Sequence, residues 1–300
     1  MSNISGSGMH WGIDIGGTTT IIGYLEQDGF TAAATLQTDP SSGPDSLLDR
    51  ITGVINRADG PPCSAGIGIA GFVDRSEGVL VSSPNLSGWK DYPIRCNLST
   101  LLNCPVVIDN DCNAFALQAM EYSIIPDSGL WLMITLGTGI GGTIVHNGTI
   151  LYGAGYAGEF GHMTVEASGR ECPCGSAGCW ERYAASEALS GYYGEYSGNS
   201  LLNSPKEIAQ RASKMEYTAL RAFNVFGTWL GIGLVNLYHC FSPDGVYLAG
   251  GLMGASDFFL KQAESEFHRR CSCKWNVNVL PSSSDAGAEG AAIMGRNRTG

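Results

Sequence analysis

His10-Trp11-Gly12-Ile13-Asp14-Ile15-Gly16-Gly17-Thr18-Thr19-Thr20 is the stretch on which the reading of this chain turns. Residues 10–15 form a short apolar run that reads as a strand. Residues 19–25 read as a second strand, joined to the first through Gly16-Gly17. A glycine pair at such a junction lets backbone N–H groups approach phosphate oxygens, and the Thr18 hydroxyl adds a donor. The carboxylate of Asp14 beside them can hold Mg2+, directly or through water. A plain hairpin turn is the other reading of these residues. Leu136-Gly137-Thr138-Gly139-Ile140-Gly141-Gly142 then repeats the device after a second apolar run, 130–136. Two glycine/threonine hairpins in like places of two halves read as a pair of phosphate clamps facing across a cleft. Neither has the Gly-Lys-Ser/Thr ending of a Walker loop. The first is not followed by a helix, as a dinucleotide fingerprint would be.

Working outward, residues 31–37 extend the first hairpin to a meander. Residues 45–58 carry apolar side chains at 47, 48, 51, 54 and 55, a helical spacing. Buried strands are expected at 66–70, ending in Gly71, and at 106–109, with a helix from about Asn110-Asp111 to Glu121. In the second half, the turn 137–142 leads into a strand at 143–146 and a loop at 168–179. Helices follow at 207–214 and 219–240, the latter apolar on nearly all faces. A strand at 246–249 ends in Gly250-Gly251. An amphipathic helix at 257–270, a strand at 276–280 and a last helix at 286–296 complete the chain. The order strand-then-helix, twice over, predicts a two-lobed α/β protein. The N-terminal lobe is expected over 8–118, with the C-terminal helix 286–298 packing back on it. The C-terminal lobe is expected over 119–285, with a zinc loop at 162–181.

Composition removes several classes. The chain has 300 residues, 17 Lys and Arg against 28 Asp and Glu, and a net charge of −11, so a nucleic-acid surface is not expected. Its longest apolar runs, such as 131–136 and 228–237, fall short of the ~20 residues that span a bilayer. The Ser/Gly-rich, uncharged start has no signal-peptide core. A cytoplasmic protein that touches no membrane is therefore expected. Its ten cysteines read as metal ligands plus free thiols rather than as disulfides.

His162…Cys172-Pro173-Cys174…Cys179 is the strongest local signal. One imidazole and three thiolates make a tetrahedral set for Zn2+, and Gly175 and Gly178 let the chain fold round the ion. Four protein ligands leave no position for water, so this zinc would be structural. Free thiols with a nearby core histidine are the bland alternative. Cys271 and Cys273 have no third ligand close in sequence and read as free thiols. Asp109-Asn110-Asp111 ends a buried strand on the side where active groups collect in α/β folds. A carboxylate there can accept a proton from a hydroxyl, and a helix N-cap is the competing reading. Asn113 reads as support. Glu159 and His162, three apart, and Glu181, two after Cys179, form a polar set round the metal loop that suits a polyol, although a salt-bridged surface would look the same. Asn85, in Ser-Pro-Asn-Leu, offers a loop amide to a sugar hydroxyl or to an Asx-turn.

Taken together these residues resemble the ROK family (repressors, open reading frames and sugar kinases). The resemblance runs from Asp14 to about Ala292 and rests on five motifs: Asp14–Thr18, Asn110-Asp111, Gly137–Gly142, Gly158–His162 and Cys172–Glu181. It implies an actin-like (ribonuclease H-like) ATPase fold with ATP and sugar in the interlobe cleft. It implies Asp111 as catalytic base, with Asn85, Asn110, Glu159, His162 and Glu181 on the sugar and Gly71 beside them. It places Asp14, Gly16, Gly17, Thr18, Thr138, Gly139, Gly250 and Gly251 on the nucleotide side with Mg2+. It implies His162, Cys172, Cys174 and Cys179 as zinc ligands, so His162 would serve zinc through one ring nitrogen and the sugar through the other. Many members have Lys where this chain has Thr19, so a cation near the phosphates is missing.

The expected activity is phosphorylation of the 6-hydroxyl of glucose by ATP. N-acetylglucosamine, N-acetylmannosamine, fructose or allose are the alternative acceptors. Residues 161–165 and 179–183 look most like the family's glucokinases, and residues 109–117 look also like its N-acetylglucosamine kinases. A sugar-responsive repressor would need a DNA-binding segment, and 13 residues precede Asp14. A catalytically silent sugar-binding protein is a further rival, against which Asp14, Asp111 and both glycine turns argue. A homodimer or homotetramer is expected.

Overall fold

Two sheets of the same topology underlie the chain. The computed structural model describes residues 8–27, 29–198, 204–281 and 283–299. Most of the Ser/Gly-rich start, which bears on the export signal and on a DNA-binding segment, lies outside them. The chain divides into two units. The first holds residues 1–125, 153–156 and 284–300, and the second holds 126–152 and 157–283.

In the first unit, β1 (His10–Ile15), β2 (Thr19–Glu26) and β3 (Gly29–Gln37) form an antiparallel meander. After α1 (Pro44–Ile55), β4 (Ser64–Ile69) pairs parallel with β1, Ile15 opposite Ile69. The helix buries Leu47, Leu48, Ile51 and Ile55, one face at helical spacing, against Ile13, Ile67 and Ile69 of the sheet core. A small antiparallel sheet follows: β5 (Phe72–Asp74), β6 (Val79–Ser82) and β7 (Lys90–Tyr92). Then come α2 (Ile94–Leu102), β8 (Val106–Asn110) and α3 (Asp111–Glu121). β8 completes the sheet in the order β3-β2-β1-β4-β8.

The second unit repeats this plan. β9 (Leu130–Leu136), β10 (Ile140–His146) and β11 (Thr149–Ile150) form the antiparallel side. A loop and four helices follow: α4 (Glu181–Ala184), α5 (Ser186–Ser197), α6 (Pro205–Ala212) and α7 (Tyr217–Phe241). β12 (Gly245–Ala249), α8 (Leu260–Arg270) and β13 (Val277–Val279) give the order β11-β10-β9-β12-β13. α7 is 25 residues long, enough by length and composition to cross a bilayer. Its Phe223, Phe226, Leu230 and Leu234 are instead fully buried in the core of this unit, packed with Trp180, Phe259 and Phe267.

The chain ends on α9 (Ala286–Thr299), which belongs to the first unit. Small residues let it lie directly on that unit's backbone. A Cβ on Gly12 would sit 1.8 Å from the Ala288 carbonyl, and one on Gly290 would sit 1.7 Å from the Ala114 carbonyl.

Some elements differ from the sequence reading. The strand after the second glycine turn begins at Ile140, because Gly137 N–H closes the turn on the Gly139 carbonyl at 3.0 Å. The expected helix 257–270 is a 3-10 segment, Gly251–Phe258, and α8, separated at Phe259 where φ is −130°. The small sheet, α2 and α5 are additions to the elements that the sequence predicts.

Candidate functional site

Asp111 is the first residue of α3, directly after the buried strand β8. Asn110 caps the helix: its backbone is extended and its side-chain oxygen accepts from Cys112 N–H at 2.8 Å. Its amide nitrogen donates to the Gly71 carbonyl at 3.2 Å. The cap reading and the site reading thus fall on neighbours: Asn110 caps, and the Asp111 side chain is held by Cys112 N–H at 2.9 Å and the Cys112 thiol at 3.5 Å. Burial raises the proton affinity of Asp111, while the bonds from Cys112 oppose this. Asp109 is buried, and its Oδ1 accepts from Asn110 N–H at 2.7 Å and from the Asn113 amide at 2.8 Å. Asn113 therefore supports Asp109. The other oxygen, Oδ2, meets Arg75 Nε at 2.8 Å. Arg75 carries no signal in the sequence, where it is a single arginine in a short hairpin.

The first glycine turn lies in the same unit. Gly16 N–H donates to the Thr19 carbonyl at 3.0 Å, and Thr18 is exposed. A Cβ on Gly17 would lie 3.0 Å from Asn85 Cβ, so the exposed Asn85 borders the turn. The bend at Asn85 is made by Ser83, whose hydroxyl accepts from the N–H groups of Asn85 and Leu86 at 3.2 and 3.1 Å, and not by an Asx-turn. Asp14 is pushed up to about 7, first by burial and then by the charge of Asp111. A carboxyl group raised by burial and by a neighbouring carboxylate suits a divalent cation, which would relieve both effects.

In the second unit, Gly250 ends β12 with φ +99°, a conformation natural to glycine. A Cβ there would lie 2.5 Å from the Leu136 carbonyl. Gly250 therefore abuts the start of the second turn, where Thr138 is exposed and Gly139 follows. A Cβ on Gly139 would lie 2.8 Å from Glu181 Oε2. Glu181 heads α4, and its Oε1 lies 3.7 Å from His162 Nδ1 and 3.3 Å from Cys172 Sγ. Glu159 Oε2 lies 3.9 Å from His162 Nε2. The polar trio is thus gathered round His162, and Glu181 links it to the second glycine turn.

The ligand atoms of His162, Cys172, Cys174 and Cys179 all lie within 4.8 Å of one another. Cys174 Sγ to Cys179 Sγ is 3.7 Å, and Cys172 Sγ to His162 Nδ1 is 3.8 Å. A tetrahedral Zn2+ with bonds of about 2.3 Å to sulfur has S···S edges of about 3.8 Å, so the donors and their spacing fit this ion. Burial pushes the Cys172 and Cys179 thiols up, a state that a bound cation reverses by displacing protons. The loop closes because Gly178 takes φ +74° and Cys172 N–H reaches the Ser176 carbonyl at 2.8 Å. All ten cysteines are free thiols.

A duplicated sheet with a glycine turn at the same place in each half, and a carboxylate at a strand–helix junction, is the arrangement of actin-like ATP-dependent sugar kinases. Residues 10–298 match the ROK family, and the chain belongs to it. It is 30% identical over 280 residues to a glucokinase of Halalkalibacterium halodurans, covering 85% of this chain and 84% of that one. It is also 30% identical to an N-acetyl-D-glucosamine kinase of Salmonella paratyphi B, over 85% and 88% of the two chains. A xylose repressor of Bacillus subtilis is 30% identical too, but only 64% of its length is covered. Among solved structures, a ROK glucokinase from Streptomyces griseus in complex with glucose and AMPPNP superposes with TM-score 0.84 and 28% identity, over 97% of this chain and 100% of that one.

Proposed function

We propose that this ATP-dependent sugar kinase phosphorylates the 6-hydroxyl of glucose, with Asp111 as general base. The observation that carries the reading is the placement of Asp111. Its carboxylate is fixed at the head of a helix by the Cys112 N–H and has its proton affinity raised by burial. A base of that kind is better matched to a neutral hydroxyl than an ordinary surface carboxylate. Asp111 takes the hydroxyl proton as the C6 oxygen forms its bond to the γ-phosphorus. The bond from that phosphorus to the β,γ-bridging oxygen breaks, and ADP leaves with the electron pair.

Positioning falls to the other residues. Asn85, Asn110 and the Gly71 region of the first unit, with Glu159, His162 and Glu181 of the second, are assigned to the sugar hydroxyls. Gly16, Gly17 and Thr18 of the first turn and Thr138, Gly139, Gly250 and Gly251 of the second are assigned to the phosphates, through backbone N–H and hydroxyl donors. Asp14 would hold Mg2+, which when bound offsets phosphate charge. His162, Cys172, Cys174 and Cys179 would hold Zn2+, which closes the loop bearing Glu181. The absence of lysine at Thr19 leaves backbone donors to meet the phosphates there.

N-acetylglucosamine is the second acceptor to weigh, because a kinase for it is as similar in sequence as the glucokinase. A panel of hexoses and N-acetylhexosamines with ATP, ranked by kcat/KM, tests the reading. Glucose ranking first supports it, and an N-acetylhexosamine ranking first replaces the acceptor.

A further inference from the structure

Behind the proposed base lies a buried carboxylate, Asp109, that the phosphoryl-transfer step does not use. It is 1% exposed. A carboxylate buried to this degree is costly unless each oxygen is hydrogen-bonded or paired. Oδ1 accepts from Asn110 N–H at 2.7 Å and from the Asn113 amide at 2.8 Å. These two donors stand on either side of Asp111, so Asp109 fixes the strand-to-helix turn from which the Asp111 side chain projects. Oδ2 meets Nε of Arg75 at 2.8 Å.

Arg75 comes from elsewhere in the first unit. It follows β5, at a tight turn where Asp74 Oδ1 accepts from Glu77 N–H at 3.0 Å and Gly78 N–H donates to the Asp74 carbonyl at 2.8 Å. β5 pairs with β6, and the connection from β6 to β7, residues 83–89, bears Asn85. Asn110 makes a second tie to the same region through the Gly71 carbonyl. The small sheet that carries an assigned sugar contact is therefore fastened to the turn that carries the assigned base, once by charge and once by an amide.

We infer that Arg75 and Asp109 form a positioning pair that sets the Asp111 carboxylate against the acceptor hydroxyl. This rests on Asp111 being the general base. Displacing a catalytic group by about 1 Å costs up to about a hundredfold in rate. Arg75 is 39% exposed and fills no core space, but its removal leaves Asp109 Oδ2 without this partner, so stability is read beside the kinetics. Changing Asp109 itself would disturb the buried turn directly.

The test is steady-state kinetics of Arg75→Ala, Arg75→Lys and Asp111→Asn, and of the double variant Arg75→Ala/Asp111→Asn, with melting temperatures alongside. Arg75→Ala should lower kcat by about tenfold or more, with the KM for ATP within about twofold, and Arg75→Lys should recover part of the loss. In the Asp111→Asn background, Arg75→Ala should add no further loss, because the group it positions is gone. A native kcat for Arg75→Ala overturns the pairing, as does an equal loss of kcat in both backgrounds or a loss that follows the melting temperature alone. A native kcat for Asp111→Asn instead overturns the base assignment.

Discussion

Gly287, the second residue of α9, lies against the carboxyl of Asp14: a Cβ built there would be 2.4 Å from Oδ2. The N-terminal turn of the last helix thus sets the position of an acid at the end of the first strand, although the two are far apart in sequence. Anions are favoured at helix N-termini, an effect that works against the burial and the Asp111 charge that together raise Asp14. Gly287→Ala should push the Asp14 side chain aside. The expected outcome is a rise of order tenfold in the KM for Mg-ATP, the equivalent of about 1.4 kcal/mol, with glucose binding unchanged. Initial rates over a nucleotide series, with glucose binding by calorimetry, check it.

Asp14 also gives the protein a pH signature. Its folded value of about 7 stands above the ordinary carboxylate value of about 4. The folded state therefore holds the proton more tightly than the unfolded chain. Stability from this group is complete below about pH 4 and is lost as pH rises through about 7. On the proposed assignment Mg2+ and nucleotide bind the ionised form, so the rise in Tm produced by Mg-ADP should be larger at about pH 8 than at about pH 6. Thermal melts of the native chain and of Asp14→Asn measure this. The variant should show no such difference, and equal shifts in the native chain would contradict the assignment.

Glu181 and the metal loop are anchored to the core of the second unit by a buried tryptophan. Trp180 follows the last cysteine of the loop, is fully buried, and donates from Nε1 to the Trp229 carbonyl at 2.8 Å. Gly233 of α7 makes room for it: a Cβ there would lie 1.9 Å from Cε2 of the indole. Gly233→Ala should cost about 1–3 kcal/mol by overpacking. Because Glu181 follows Trp180, it should also raise the KM for sugar. Denaturant melts and sugar kinetics read the two effects, and an unchanged melt would contradict the packing account.

Zinc is expected at one equivalent per chain. Cys174→Ser should lower the zinc content and the melting temperature together, because loss of one of four ligands opens the site. Elemental analysis of purified protein decides it, and a metal-free protein with native stability would contradict the donor-set reading.

Much of this is legible in the sequence because the relevant signals are local. The strand Leu130–Leu136 is a mostly apolar run stopped by Gly137, and β1 is stopped in the same way by Gly16. The metal set can be read because its spacing is short and its residue types are few. α2 escapes such a reading because Pro93 stands at its N-cap without a side-chain bond, and α5 because Ala185 does the same. Strands of three or four residues, such as β5 to β7, are too short to show alternation. Arg75 is silent because its partner, Asp109, is distant in sequence and is brought to it only by the fold. The close approach of Gly287 to Asp14 is likewise a product of tertiary packing, and no periodicity encodes it.

The central claim is that Asp111 takes the proton from the acceptor hydroxyl. The most direct test is kcat of Asp111→Asn with glucose and ATP, beside the Kd for glucose of the same variant. A loss of at least about a hundredfold in kcat with Kd within a few-fold of native is the result expected. Near-native turnover in that variant would contradict it.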